Sequence, residues 1–356
     1  MNLHYGAELQ GAEDSMKILM LLGPIILLVL LGVTVPAAAE CDARGGVQFV
    51  CDQSGPEDLV AVPGSPWVVA SSYPEGNGGI RLIDTRNLET TILLPVESPL
   101  EQHDRAVYGA CPGPVVSVEK ENFSTHGLYI APGNNSVHTL YATHHGTRES
   151  VEVFELAVGG KQPTLIWVGC AVAPNELNLN SVVALPDGGF AATSFRAPGA
   201  PIEPLMEGQI SGAIWEWHTQ TGWQMVPGSE TSGPNGIEIS PDGEWFYVGA
   251  WGTQSVVRLS RGRTPVQRDE APAEFRVDNL RITPDGSILA TGQGSKGAPM
   301  TTSNVAKVDV NTWQLEEIIR HKNDDTFGTG TVALQVGDEI WVGSLQGDRI
   351  ARFSLN

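Results

Sequence analysis

Carboxylate and amide residues recur at one position of a repeated sequence pattern. In "PNGIEISPDGEWFYVG", from Pro234, and "VDNLRITPDGSILATG", from Val277, an Asn or Asp precedes a short apolar segment, a Pro-Asp-Gly turn and a second apolar segment. Carboxylate and amide oxygens are the ligands that Ca²⁺ prefers, at roughly six to eight per ion. If these side chains meet in space, they predict a calcium site.

The same pattern occurs in six copies along the chain. The other copies are "EDLVAVPGSPWVVASS", "HGLYIAPGNNSVHTLYATHH", "NSVVALPDGGFAATSF" and a degenerate "GTVALQVGDEIWVGSLQ". Each copy has a polar pair, a short strand, a turn and a second strand. The polar positions are Glu57, His126, Asn180, Asn235, Asp278 with Asn279, and Gly330 with Thr331.

The repeat predicts an all-β, six-bladed β-propeller with four-stranded blades around a central channel. Two further strand-like runs follow most copies, so each unit holds about four strands in about fifty residues, the size of a propeller blade. The 41 Gly and 24 Pro residues also favour a turn-rich β protein. A β-sandwich is the competing all-β interpretation, but it does not explain six copies in one register. Residues 40–356 are therefore expected to form one propeller domain.

The propeller geometry brings the polar positions to one mouth of the channel, because the innermost strand of every blade lines the axis. There they predict a cage of oxygen ligands for calcium. Taken singly, each residue is more typical of a turn cap than of a metal ligand, and only their recurrence at one position of the repeat favours the metal site. The predicted metal ligands are Glu57, Asn180, Asn235, Asp278 and Asn279.

His126 is the one imidazole in this ring. Calcium prefers oxygen, so a histidine beside it is better suited to carry a proton than to bind the metal. The alternative is a hydrogen-bonded residue at the channel rim without a catalytic role. His144 and His145 end the partner strand "TLYATHH", so one of them is expected to orient His126.

The first 39 residues are predicted to direct export. Met16 and Lys17 precede an apolar core at about residues 18–35 and the small residues around Ala39, a pattern typical of a signal peptide after an upstream extension. The alternative is an uncleaved membrane anchor. Export predicts a secreted or periplasmic protein whose four Cys pair, with three pairings possible. Cys41–Cys51 would fasten the N-terminus and Cys111–Cys170 two neighbouring segments, unless either of the latter two is a buried thiol.

The net charge and the absence of several catalytic motifs from the sequence exclude some classes of function. A net charge of −20 repels phosphate backbones, so nucleic-acid binding is not expected. The sequence lacks a Gly-x-Ser-x-Gly elbow, a His-Glu-x-x-His motif, a phosphate-binding loop and a dinucleotide fingerprint. A covalent serine hydrolase and a nucleotide-dependent enzyme are therefore both disfavoured.

At "EDL", "HGL", "NSVVAL", "PNGIEIS" and "VDNLRITPDG" the sequence resembles the calcium-dependent six-bladed propellers of the paraoxonase/arylesterase and gluconolactonase superfamily. The resemblance covers nearly the whole chain after the signal. It implies that Glu57 and the four other predicted ligands bind a catalytic calcium, that His126 is the general base and that His144 assists it. It also implies a second, structural calcium at Asp58, but this chain has Ser181 where the family has another Asp, which leaves the second ion open.

The function expected from these features is calcium-dependent hydrolysis of a lactone or an (aryl) ester. Calcium would polarise the carbonyl, and water activated by His126 would attack it. The alternative is a secreted, non-catalytic propeller with a structural channel calcium that binds a partner or ligand. A third possibility, a strictosidine-synthase-like condensing enzyme, would need a catalytic Glu in the channel rather than an oxygen cage.

Overall fold

Short strands joined by Gly- and Pro-rich turns make up almost all the regular structure. The computed structural model describes residues 41–74, 77–115, 123–295 and 299–355. The predicted signal peptide, residues 1–39, lies outside them. Cys41–Asn356 forms one compact unit. Its described residues include a short helix, α1 (Glu203–Met206), between two strands of the third blade.

The strands form six sheets that follow one another along the chain. The N-terminal strand is β1 (Gln48–Val50). Blade 1 comprises β2 (Leu59–Ala61), β3 (Trp67–Ser72), β4 (Gly79–Asp84) and β5 (Thr90–Leu94). Blade 2 comprises β6 (Leu100–Glu101), β7 (Ser124–Ala131), β8 (Val137–His145), β9 (Ser150–Ala157) and β10 (Thr164–Val172). Blade 3 comprises β11 (Leu179–Ala184), β12 (Phe190–Ser194), β13 (Ala213–His218) and β14 (Gly222–Met225).

Blades 4 and 5 repeat the order of blades 1 and 3, whereas blade 6 takes its outermost strand from the N-terminal segment. Blade 4 comprises β15 (Pro234–Ile239), β16 (Trp245–Ala250), β17 (Ser255–Ser260) and β18 (Arg268–Pro272). Blade 5 comprises β19 (Arg276–Ile282), β20 (Ile288–Gln293), β21 (Thr302–Asp309) and β22 (Gln314–Lys322). Blade 6 comprises β23 (Gly330–Val336), β24 (Glu339–Ser344), β25 (Ile350–Ser354) and, as its outermost strand, β1. The predicted six-bladed, all-β propeller is thereby confirmed.

The two ends of the propeller are joined in blade 6. Strand β1 pairs antiparallel with β25, so the N-terminal segment completes the sheet formed by the C-terminal one. A Cys41–Cys51 disulfide encloses β1, and a Cys111–Cys170 disulfide fastens the segment after β6 to β10. This is one of the three pairings that the sequence left open.

The polar positions of the repeat coincide with β-bulges. In blades 2 to 5 the register between the innermost strand and the next shifts at the polar pair, for example between Thr125 and Leu128 and between Val277 and Leu280. In blade 6 the shift lies at Thr331 and Val332, one residue later than the pair expected from the sequence, because Gly330 is still paired with Ser344. A bulge leaves residues outside the regular ladder and changes the direction of their side chains. The same irregularity, repeated from blade to blade, therefore presents the predicted site residues at equivalent positions.

Close packing between neighbouring bulges explains the glycines of "HGL" and "NGI". A Cβ on Gly127 would lie 2.5 Å from the carbonyl oxygen of Asn180, and one on Gly236 would lie 2.5 Å from Cα of Asn279. Both contacts are shorter than two atoms tolerate, so glycine lets the bulges of adjacent blades pack together. In these two copies the packing thus constrains the residue after the polar position as well as the polar residue itself.

Buried aliphatic and aromatic side chains fill the spaces between the blades. The sheet faces that meet there are apolar, as in Ile237, Phe246 and Val257 of blade 4. Among the described residues, no helix is long and apolar enough to span a membrane.

Candidate metal and catalytic site

The five predicted metal ligands meet at the channel mouth. Asn279 Nδ2 donates to Glu57 Oε1 at 2.7 Å, and the Asn235 side chain lies beside the Asp278 carboxylate. His126 Nε2 lies 3.5 Å from Glu57 Oε1, and Asn180 Nδ2 lies 3.5 Å from the same nitrogen. The structure therefore joins residues that are more than 200 positions apart in the sequence.

Four side-chain oxygens of this cluster are buried without a hydrogen-bond partner in the described part of the chain. They are Glu57 Oε2, Asn180 Oδ1, Asn235 Oδ1 and Asn279 Oδ1. Burying an acceptor without a partner costs about 1–3 kcal/mol, and more if it is charged, so such groups normally have a ligand or water. Four of them from four blades fit the donor set of an oxygen-coordinated cation.

The electrostatics of the cluster also favour a cation. Burial raises the pKa of Glu57 to about 7. Burial and then the nearby Glu57 carboxylate raise the pKa of Asp278 well above its usual range. Two carboxylates that are costly to ionise in the same buried space become stable as anions when a positive charge lies between them.

The chemistry of the donors distinguishes among metals. Two carboxylates and three amides form a hard-oxygen set, which suits Ca²⁺ rather than Zn²⁺. In the described residues, no three His, Cys, Asp or Glu side chains converge in a manner suited to a metal. The candidate site depends instead on Asn oxygens. Its residues fit calcium, and calcium binding stays a prediction.

His126 belongs to a chain of three titratable side chains. Its Nδ1 lies 2.9 Å from His145 Nε2, and His145 Nδ1 lies 2.8 Å from Glu149 Oε2. The other Glu149 oxygen accepts a hydrogen bond from the Leu179 backbone N–H at 2.5 Å. A carboxylate fixed by the backbone therefore orients His145, which in turn orients His126.

The residue that contacts His126 is His145 and not His144, the helper implied by the family resemblance. Successive side chains of a strand point to opposite faces, so only one of the two can face His126. His144 stacks on Phe123, with ring centroids 4.7 Å apart, and its Nδ1 lies 3.1 Å from the Ser124 carbonyl oxygen. The residue that contacts His126 is therefore His145, one position after the predicted His144.

A cavity of about 710 Å³ opens beside this chain of residues. Tyr73, His145, Thr147, Glu149 and Asn178 are among its lining residues. The rings of Tyr73 and His145 both lie next to His126, with centroid distances of 4.6 Å and 5.1 Å. The cavity is large enough for a small ester or lactone.

The position of the second calcium implied by the resemblance does not fit a metal. Asp58 Oδ1 accepts from the Leu59 backbone N–H, and Oδ2 accepts from the Leu128 N–H and from the Arg281 guanidinium. Both carboxylate oxygens therefore already accept hydrogen bonds, and the Arg281 guanidinium already supplies the positive charge beside them. We derive no chemistry from a second metal.

Several residues that build the site were not expected from the sequence. Gln293 Nε2 donates to Asp278 Oδ2 at 2.6 Å. Thr331, a polar position of the sixth copy that was not among the predicted ligands, donates from Oγ1 to the Glu57 carbonyl at 2.6 Å. Thr143 Oγ1 holds the Asn180 carbonyl at 2.9 Å, and Thr193 holds the Asn235 carbonyl in the same way. Both threonines follow an Ala in the second strand of their copies, in "LYATHH" and "FAATSF". Alignment of the second strands would have revealed them.

Comparisons with known proteins support the fold but assign no family. The sequence matches no protein-family model and no curated protein sequence. The structure is similar to a luciferin-regenerating enzyme (TM-score 0.55, 13% identity), with 86% of this chain and 93% of that chain covered.

Two further solved structures have the same architecture. One is the calcium-binding protein regucalcin from Agrobacterium tumefaciens (TM-score 0.52, 13% identity, 86% of this chain and 92% of that chain covered). Another is a protein assigned as a gluconolactonase (TM-score 0.51, 14% identity, 87% and 93% covered). At this level of identity the likeness concerns the fold alone. The chain therefore shares the β-propeller fold of these proteins.

Proposed function

We propose that this protein is a calcium-dependent hydrolase of lactones or aryl esters. The observation that carries the proposal is the group of four buried, unpartnered oxygens. Two of the residues that carry them, Glu57 and Asn180, have side-chain atoms 3.5 Å from His126 Nε2. The partner of His126, His145, lines an open cavity. Solved structures that share the fold include a calcium-binding protein and one assigned as a gluconolactonase. The proposed metal ligands are Glu57, Asn180, Asn235, Asp278 and Asn279.

The chain's own residues supply the proton chemistry. Bound calcium would polarise the substrate carbonyl and stabilise the negative charge that develops on its oxygen. Because the Glu149 carboxylate can only accept, His145 carries its proton on Nδ1 and presents Nε2 as an acceptor. His126 must then donate from Nδ1, which leaves its Nε2 lone pair free to take a proton from water.

Burial explains why His126 needs this support. Burial, and then the electrostatic effect of the neighbouring His145 ring, lower the pKa of His126 to about 3, against the raising effects of Asp58 and Glu149. The ring is therefore neutral at physiological pH, but it holds an extra proton poorly. The pair of His145 and Glu149 is more exposed, with 23% of each side chain accessible. A proton accepted at Nε2 of His126 is stabilised when the Nδ1 proton passes to that pair.

The experiment that tests the proposal is turnover of a panel of lactones and aryl esters with calcium and with a chelator. We expect calcium-dependent hydrolysis that chelation abolishes and added calcium restores. A calcium-dependent melting temperature without turnover of any panel member would contradict the hydrolase. It would leave the alternative, a non-catalytic propeller that calcium stabilises by mass action.

Glu149→Gln should lower turnover by about 100-fold or more. The amide oxygen can accept from the Leu179 N–H, but the amide nitrogen would then donate to His145 Nδ1 and force the opposite tautomer on both histidines. His126 Nε2 would carry a proton and could not act as a base. The measurement is kcat and KM for the best panel substrate.

The matched control for Glu149→Gln is Glu152→Gln, in the neighbouring strand β9. Glu152 is buried and hydrogen-bonds Arg148 and Trp167, away from His126. We expect this control to lower the melting temperature, with kcat of the folded protein close to wild type. Equal loss of kcat in both variants would contradict the proton chain and indicate a general structural effect.

We further propose that the protein works outside the reducing cytosol. The two disulfides support this, because such bonds persist in oxidising compartments. Membrane association is proposed only if the signal sequence stays uncleaved, and nucleic acid is not a proposed partner. Mass spectrometry of the exported protein checks the predicted cleavage near Ala39.

A further inference from the structure

The Arg281 side chain lies in the channel directly below the candidate metal site. It is 6% exposed and donates from Nη2 to Asp58 Oδ2 at 2.5 Å and to the Leu128 carbonyl at 2.9 Å. Its Nε donates to the Leu59 carbonyl at 2.8 Å. Nη1 donates to the Leu280 carbonyl at 2.8 Å and lies 3.3 Å from Glu238 Oε1. The guanidinium thus contacts blades 1, 2 and 4 as well as its own.

The partners of Arg281 are the kind of ligands that a divalent cation would use. Two carboxylates, Asp58 and Glu238, and three backbone carbonyls surround the guanidinium, all of them hard-oxygen donors. A guanidinium satisfies such a group when its planar set of N–H donors matches the geometry, and it keeps its charge at any pH at which proteins fold. A divalent ion at the same position would meet like charge and would find the oxygen ligands already in use.

Arg281 also separates two parts of the channel. The candidate metal site lies above it, at Glu57 and Asn279. Below it a cavity of about 520 Å³ is lined by Arg281, Glu238, Tyr129 and aliphatic residues. The guanidinium therefore occupies the middle of the channel, between the innermost strands of the blades.

We propose that Arg281 is the built-in cation of the channel centre and takes the place of a second divalent ion. The central position then accepts no metal, and the chain binds a single divalent ion in the cage around Glu57. The claim that one ion binds around Glu57 rests on the proposed function. The claim that no metal binds at the channel centre rests only on the contacts of Arg281.

The test is the number of calcium ions bound per chain, measured by equilibrium dialysis at saturating calcium. Arg281→Ala should bind one ion more than wild type, because Asp58, Glu238 and the freed carbonyls then face an open position. Arg281→Lys retains the charge and should bind the same number as wild type. The double variant Arg281→Ala with Asp58→Asn should lose the additional ion.

The outcomes separate this inference from the proposed function. If wild type binds one calcium ion and Arg281→Ala binds two, the result supports both the proposed function and the central cation. If wild type binds no ion and Arg281→Ala binds one, the result supports the central cation but contradicts the calcium site around Glu57. Two ions in wild type, or no gain in Arg281→Ala, would overturn the inference. If Arg281→Ala does not fold, Asp58→Asn alone decides, since it should bind as many ions as wild type, and loss of an ion would show that Asp58 holds a metal.

Discussion

Glu57→Gln should lower calcium affinity by on the order of 100-fold or more and abolish turnover at calcium concentrations that saturate the wild type. Glu57 supplies one of only two carboxylates among the five proposed ligands, and its Oε2 has no hydrogen-bond partner in the described structure. The substitution removes a negative charge and directs amide hydrogens at the cage. The measurements are calcium titrations of melting temperature and of lactone or ester hydrolysis, which should weaken together.

Glu238→Gln is the matched control for Glu57→Gln. Both carboxyl groups are buried in the channel, and burial raises the pKa of each to about 7. Glu238 lies on the other side of Arg281 and should leave calcium affinity close to wild type. Similar affinity losses in both variants would mean that the metal is not held at the Glu57 end.

His126→Gln should reduce kcat by about 10²–10⁴-fold, the usual contribution of a general base, while calcium still raises the melting temperature as in wild type. Glutamine keeps a polar side chain of similar reach but cannot take a proton. Because His126 is not a proposed metal ligand, this variant should keep its calcium binding while it loses turnover. The comparison requires kcat at saturating substrate together with a calcium titration of stability.

His138→Gln controls for the loss of a buried imidazole. His138 lies at the opposite end of β8 from His145, and its Nδ1 accepts a hydrogen bond from the Gly133 backbone N–H. Its replacement should change stability more than kcat. If His126→Gln keeps wild-type kcat across several lactones, His126 is not the base.

The fold, and the meeting of the polar side chains proposed as metal ligands, were predictable because the repeat makes the register visible. Asn180, Asn235 and Asp278 stand at one position of aligned copies, and the propeller turns an equivalent position in sequence into a ring in space. The bulges that direct these side chains left a trace as well, in the glycines after His126 and Asn235. Physical constraints that recur in every blade can be read from a single chain.

The chain of His126, His145 and Glu149 was harder to predict from the sequence, because these side chains meet within a single blade and no repeat defines their contacts. His144 and His145 are adjacent, and the sequence does not say which of the two faces the channel. Glu149 reaches His145 through the turn between β8 and β9, whose geometry no repeat defines. The hydrogen bond from the Leu179 N–H then fixes Glu149 from the next blade, a contact that only tertiary structure reveals.

Arg281 was not predicted because it stands two residues after the polar pair, outside the positions that define the candidate ring. In four of the six aligned copies this later position is Val60, Tyr129, Val183 or Leu334. In the two adjacent blades 4 and 5 it is Glu238 and Arg281. A charged pair of opposite sign in an otherwise mainly apolar, buried register was a readable signal. It would have predicted an ion pair inside the channel.

The most direct measurement is a crystal structure of the protein grown with saturating calcium. We expect one calcium ion at the channel mouth, with oxygens of Glu57, Asn180, Asn235, Asp278 and Asn279 at about 2.3–2.6 Å. Ordered water alone among these five side chains, or calcium bound elsewhere, would contradict the metal site on which the proposed hydrolysis depends.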